Sequence, residues 1–411
     1  MAKSPVEVWL WLLLVMQPYN PKTAEILAQC GGDATLASRM IRDGEFPFLS
    51  EKEKKRAEQV RMNTIRPILD VCRENDIRLI SLDDDEYPRL LRNIKNPPIL
   101  LFVCGNIDNS DDNISIAAVG ARNVSEYGIA AAEGVCGPLA GMGVTIVSGL
   151  AVGADTAAHR AALNAGGRTV GVLACGMLVN YPAENAQLKR DIIANGGALI
   201  SELLPNTRTF AAYFHQRNRI ISGLCSGTLV IEAGENSGSL LTANHAADQG
   251  REVFCIPPHD IFSQKYIGVV PLLRDGAVPV FGYSDILRQL LGSYTDRARI
   301  ENMLSEVKEY APPRKTPKAP APQKNNVGKA PAAEEPEVHE KPKEAAPSEA
   351  LLSSLKPDEA AVLKLLAEQP SGVDELVERS GLDFSALSEA ITNLELFGHI
   401  SREMDGVYTV V

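Results

Sequence analysis

From about residue 114 the chain alternates short apolar runs with longer stretches of helical period. The runs are ISIAAVG (114–120), VTIVSG (144–149), TVGVLACG (169–176), ALISE (198–202), GTLVIEAG (227–234) and EVFCIP (252–257). Near-continuous runs of this length fit strands covered on both faces. Helical patterns of about 11–16 residues separate most of them. Right-handed crossovers then predict an α/β fold with a doubly wound, mainly parallel sheet. Its binding crevice would lie beyond the carboxyl ends of the strands.

The flanks follow other patterns. Residues 1–80 read as helical: VEVWLWLLLVM is a buried helix, followed by KTAEILAQC and ATLASRMI. The segment SEKEKKRAEQVRMNTIRPILDVCREN predicts one long amphipathic helix, opened by a serine that can cap it. LISLDDDEYPRLLRNIKNPPILLFVCGN (79–106) reads as strand, turn, short helix and strand. Residues 311–350 hold nine Pro and nine Ala with Lys and Glu and no aromatics, a composition expected of a disordered tether. Residues 351–411 read as three helices and a hairpin, the layout of a winged helix. The expected domains are therefore 1–78 (helical), 79–300 (sheet), 301–350 (linker) and 351–411 (winged helix).

Composition narrows the class. The 411 residues carry 41 basic and 52 acidic side chains, a net charge of -11, which taken alone argues against non-specific nucleic-acid binding. The charge is uneven, however. Residues 1–80 hold 12 Lys and Arg against 11 Asp and Glu, whereas 351–411 hold 4 against 11. The seven cysteines (30, 72, 104, 136, 175, 225, 255) form no C-x-x-C pair and read as buried thiols of a reducing cytosol, with no zinc site. The apolar run at 8–16 is too short to span a bilayer and has no small-residue cleavage site, so no membrane association and a cytoplasmic location are expected.

Four segments carry candidate chemistry. Gly120-Ala121-Arg122 follows a buried strand and precedes a helix, where a glycine admits phosphate to backbone N–H groups and Arg122 adds bidentate contacts. The alternative is a plain turn with a solvated arginine; the G-x-G-x-x-G dinucleotide fingerprint is absent. Ser148-Gly149 opens a second tight loop that also contains Gly153, with Asp155 as the expected cap of the helix carrying His159. Asp155 and His159 read better as a cap and a packed histidine than as an acid–base pair, because no nucleophile accompanies them. No catalytic residue, metal or cofactor is assigned.

In FHQRNRIISGL, Arg217 shares a helical stripe with Tyr213, Ile220 and Leu224, while Arg219 lies about 200° around the helix. One arginine should anchor structure against an acidic neighbour, leaving the other, with Asn218, for binding. Phe214 is placed either to stack on a base or to pack in the core. Finally, Glu232-Ala233-Gly234 ends a strand and Ser237-Gly238-Ser239 opens a helix, with Ser237 as its cap. Several helix N-termini on one sheet edge suit a ligand with repeated phosphates, such as a nucleic-acid strand.

In order and spacing, VGARNVSEYG, IVSGLAVGADTAAHRAAL, VGVLACGMLVNYP, ISELLP, FHQRNRIISGL and VIEAGENSGSLLTANHAADQGREVFCIP resemble the DNA-processing protein A (DprA/Smf) family over roughly residues 80–285. The resemblance implies a Rossmann-like central domain, a SAM-like front and a winged-helix tail. It implies a non-enzymatic protein that binds and protects incoming single-stranded DNA during natural transformation. Such a protein helps load RecA recombinase and acts as a homodimer. It marks Arg122, Phe214, Arg217, Asn218 and the Ser237-Gly238 loop for DNA contact, and with Gly120, Ser148, Gly149 and Arg219 of the segments read above these make up the candidate DNA-binding set.

The front segment MQPYNPKTAE lacks the glycine of the family's hairpin, so no helix-hairpin-helix contact to DNA is expected there. The acidic tail should be repelled by phosphates and is expected to bind a protein partner, or a basic surface of the same protein, instead. Two other classes compete. One is a Rossmann-like nucleotide phosphoribohydrolase using Glu232, which lacks a second placed acid and a PGG-type loop. The other is a scaffold that reaches DNA only through RecA.

Overall fold

The computed structural model describes residues 3–107, 114–293, 297–307, 355–382, 384–396, 399–402 and 408–410. The chain divides into two compact units, Met1–Tyr310 and Ala311–Val411.

The first unit is built on a nine-stranded sheet. Its strands are β1 (Arg78–Ser81), β2 (Leu100–Gly105), β3 (Ser115–Val119), β4 (Thr145–Ser148), β5 (Thr169–Val172), β6 (Ala198–Ser201), β7 (Gly227–Val230), β8 (Glu252–Cys255) and β9 (Val278–Pro279). Their spatial order is β1-β2-β6-β5-β4-β3-β7-β8-β9. From β6 to β9 every pairing is parallel, while β1–β2 and β2–β6 are antiparallel. The six expected strands are all present, each ending short of the last residues of its run, which close on a glycine or glutamate in five of them. Those residues form the loops at the carboxyl edge.

The sheet is covered on both faces, which explains the unbroken apolar runs. Along β3, Ile116 and Ala118 face one core, and Ala117 and Val119 face the other. β3 and β7 are neighbours. The chain leaves β3 towards β4 and later returns to β7 on its other side, so the strand order reverses between them. Crevices in such sheets form at this switch point.

The front helices make their own core. The Val6–Met16 helix is apolar around nearly its whole circumference and is accordingly buried, Trp9, Leu10 and Leu12 almost completely. Its cluster extends onto Leu100 and Phe102 of β2, while Leu101 and Val103 face the sheet core. The single long helix expected next is two, Glu51–Gln59 and Met62–Glu74. Ser50 closes a capping box with Glu53, as its sequence suggests. The break comes at Val60, which is extended and offers its carbonyl to the Trp11 indole at 3.3 Å. A tertiary hydrogen bond thus overrides helical period.

The expected linker starts later than residue 301. The helix Arg297–Ser305 buries Ile300 and Met303 in the sheet core. Residues 308–354 lie outside the described residues. In the second unit, helices Pro357–Glu368, Val373–Ser380 and Phe384–Leu396 precede an antiparallel hairpin, β10 (Ile400–Arg402) and β11 (Tyr408–Val410). This is the winged-helix layout. Its core joins Val362, Leu366, Leu376, Leu387, Ile391 and Tyr408. Among the described residues, no helix is long and apolar enough to cross a membrane.

Candidate nucleic-acid interface

The loops after β3, β4 and β7 are knit together at the switch point. The Ala121 amide donates to the Glu232 carbonyl at 2.8 Å, and the Ala154 amide donates to the Ala121 carbonyl at 3.1 Å. Gly153 takes a φ of 86°, and a Cβ there would stand 2.1 Å from the Arg122 carbonyl oxygen. Both facts require glycine. Gly120 is also tightly pressed, since a Cβ there would meet that of Ala154 at 2.6 Å.

Two of the expected phosphate cradles hold carboxylates of the protein itself. Asp155 is buried and accepts hydrogen bonds from the Gly149 amide at 3.0 Å and the Ala151 amide at 3.3 Å. It is not the helix cap: Gly153 occupies that position, and Asp155 lies within the first turn, reaching back to the loop. Burial raises its carboxyl pKa above the ordinary aspartate range, against the pull of Arg217 and the two amides. At the first loop, fully buried Glu232 accepts from the Ser125 amide at 3.1 Å and the Ser125 hydroxyl at 2.7 Å. Ser125 also caps the helix Glu126–Gly141 and meets the Tyr266 hydroxyl at 3.0 Å. Local sequence places an anion-binding head at each loop. Tertiary folding puts a side-chain anion into both.

His159 is sealed in. Its Nδ1 meets Thr169 Oγ1 at 2.7 Å, and burial lowers its pKa to about 3. It is a packed neutral histidine, as expected. Ser148 also turns inward, donating to the Ala118 carbonyl at 2.5 Å. Gly149 is buried with its amide spent on Asp155, and a Cβ there would collide with the Arg217 guanidinium.

Both arginines of the 211–223 helix are buried. Arg217 donates to the carbonyls of Gly149, at 2.7 Å, and Val172, clamping the ends of β4 and β5. Burial lowers its pKa, against the attraction of Asp155. Arg219 points to the other side and pairs with Glu202, Nη2 reaching the two carboxylate oxygens at 2.7 and 2.6 Å. The sequence expectation of one anchoring arginine and one left for binding gives way to two anchors, since each guanidinium finds fixed partners across the chain.

What remains at the surface forms one row. Arg122 is exposed and sits over the Phe214 ring, its guanidinium carbon 5.4 Å from the centroid. Phe214 is half-buried and meets Tyr181 edge-on at 5.6 Å. One helical turn on, Asn218 accepts from Arg217 Nε at 3.2 Å and donates to the Gly238 carbonyl at 3.1 Å. That contact joins the row to the head of the helix Gly238–Asp248. There Ser237 is the cap, its hydroxyl accepting from the Ser239 amide, and a Cβ on exposed Gly238 would meet open space.

Sequence reading passed over Tyr181 as well as exposed Arg208 and Lys265, on the loops after β6 and β8. Their only signal is position: each follows a parallel strand and so falls at the carboxyl edge.

Comparison with known proteins supplies the remaining context. Residues 78–291 match the family model described as DNA recombination-mediator protein A, and residues 343–406 match a DprA winged helix domain. The chain is 39% identical to the DNA processing protein DprA of Bacillus subtilis over 223 residues, covering 54% of this chain and 74% of the relative. It is 30% identical to Protein Smf of Synechocystis over 347 residues, 83% of this chain and 82% of the relative. The X-ray structure of DNA processing protein A from Streptococcus pneumoniae superposes with a TM-score of 0.61 at 32% identity. That alignment covers 70% of this chain and 99% of the other.

Proposed function

This chain belongs to the DNA recombination-mediator protein A family, and from that premise we propose that it binds single-stranded DNA along the row Arg122–Phe214–Gly238. The observation that carries the reading is the pairing of an exposed guanidinium with an accessible aromatic ring, joined through Asn218 to an open helix head. A guanidinium and a helix N-terminus suit phosphates, and a ring suits an unstacked base. Neither reads sequence, so binding is sequence-tolerant. Arg217, Asn218 and Gly149 position this row from beneath, and Ser148 and Arg219 belong to the scaffold.

The protein acts as a mediator and not as a catalyst. Glu232, which a phosphoribohydrolase mechanism needs, is buried and engaged by Ser125. The Asp155 and His159 pair is equally enclosed. In this reading the chain works in the cytoplasm as a homodimer during natural transformation, protecting incoming strands and helping RecA recombinase onto them. The acidic winged helix contacts protein.

Titrating the intact chain against a fluorescent mixed-sequence oligonucleotide at several salt concentrations tests this. Affinity should fall with a log–log slope of about -0.7 per phosphate neutralised, and Arg122→Ala should reduce the slope by about that amount. Salt-independent binding would remove the phosphate-contact reading. The mediator step is tested by RecA nucleation on strands preloaded with the chain, which should be faster than on bare strands. Nucleoside monophosphates should release no base.

A further inference from the structure

The surface rings do not end at Phe214. Phe210, Phe214 and Asn218 recur every fourth residue and follow one face of the 211–223 helix, with Phe210 at its cap position. Phe210 is 37% exposed and meets Tyr213 edge-on at 5.8 Å. Half-buried Tyr213 in turn lies 5.9 Å from Tyr19, on the turn between the Val6–Met16 and Pro21–Gln29 helices. Tyr19 is held there at a cost, since its φ of 68° is a left-handed value that non-glycine residues rarely adopt. The Arg219 guanidinium carbon stands 5.4 Å from the ring centroid, so the Arg219–Glu202 pair also fixes this ring. A strained residue kept in place by its neighbours marks a position with work to do.

Charge and spacing restrict what these rings meet. No Asp or Glu occurs from Leu203 to Ile231, and exposed Arg208 precedes Phe210 by two residues. Rings alone would suit the apolar side chains of a protein. Rings among arginines with no carboxylate in the segment favour a polyanion that carries bases. Successive positions of the stripe stand about 6 Å apart along the helix axis. Stacked bases of a duplex strand are only about 3.4 Å apart. Each ring therefore suits one base of an unstacked, single strand.

We propose that the strand continues past Phe214 over Phe210 and Tyr213 to Tyr19, so that the front helices supply the end of its track and Arg208 takes a phosphate on the way. This extension rests on the reading of the Arg122 row. The front segment MQPYNPKTAE, which lacks the hairpin glycine, then reaches DNA through a ring instead of through backbone amides.

Fluorescence and anisotropy titrations of the full chain, with oligo(dT) long enough to cover the whole track, test the extension. Phe210→Trp keeps a ring and adds a reporter, while Trp9 and Trp11 are buried and give a constant background. Its emission should be quenched as the strand binds, with the midpoint that anisotropy reads. Phe210→Ala should weaken binding at least about fivefold. Tyr19→Phe should bind as the parent does and Tyr19→Leu about threefold more weakly, all measured well below the melting temperature of each variant. Arg208→Ala should lower the salt slope by about 0.7. Binding that Arg122→Ala weakens, but that Phe210→Ala and Tyr19→Leu leave unchanged with no quenching in Phe210→Trp, would overturn the extension and leave the row intact. Binding indifferent to Arg122→Ala as well would remove both.

Discussion

Two strand-to-helix junctions on one sheet edge, SGLAVGAD (148–155) and EAGENSGS (232–239), are written in the same small, glycine-rich vocabulary and end in opposite states. At the first, Asp155 takes the Gly149 and Ala151 amides and faces Arg217, so the head carries its own anion. At the second, a serine hydroxyl caps the helix and Gly238 faces open space. An anion-binding head is only a potential site. Whether it is available depends on the presence of a carboxylate within reach. The filled junction is tied into the fold, and the open one is the head proposed above to meet the strand.

The largest effect should follow from breaking the filled junction. Arg217→Ala strips a cation from buried Asp155 and a donor from two strand-end carbonyls. It should cost about 3–5 kcal/mol of unfolding free energy. A loss below about 1 kcal/mol in urea unfolding would show that the guanidinium does not hold this junction. Strand binding lost by that variant would report unfolding, not contact.

The helix leaving the same junction carries His159, whose folded pKa of about 3 lies below the unfolded value. Between about pH 6.5 and the folded value, the unfolded chain takes up a proton that the folded chain refuses. The histidine's contribution is therefore complete above about pH 6.5 and declines on acidification by up to about 1.4 kcal/mol per pH unit. His159→Gln should flatten that part of a stability-versus-pH curve; an unchanged curve would place the acid sensitivity elsewhere.

At the open side the readout moves from folding to binding. Arg122→Ala should weaken oligonucleotide binding about tenfold, near 1.4 kcal/mol, with the melting temperature unchanged. Smaller but more pointed is Gly238→Asp, which gives the open head an anion of its own. Stability should hold or rise slightly, because acidic groups favour helix N-termini by about 0.3–1 kcal/mol. Strand affinity should drop severalfold, and equal affinity would exclude the helix head from the interface. Removing 351–411 should leave strand affinity within twofold, and a larger loss would assign the acidic tail a part in DNA contact.

Much of the fold was legible because it is local. Strands covered on both faces need unbroken apolar runs, helices need their period, and Ser50 and Ser237 each cap the helix their position suggests. The misreadings at Val60 and Asp155 share a cause. Trp11 captures the Val60 carbonyl from 49 residues away, and the amides that Asp155 accepts belong to the preceding loop instead of its own helix. The candidate site was legible as a set of loops, not as a set of available groups.

Sequence alone settled the class of sheet, the winged-helix layout of the tail and the edge at which the glycine loops gather. These follow from the alternation of apolar and polar positions along the backbone. Which helix head stays open, and where each guanidinium points, was decided by tertiary structure. Ser125 with Glu232, Arg217 with Gly149, and Arg219 with Glu202 are joined across separations of 107, 68 and 17 residues. A charge takes whichever partner the folded chain brings within hydrogen-bond reach, and no local pattern encodes that distance.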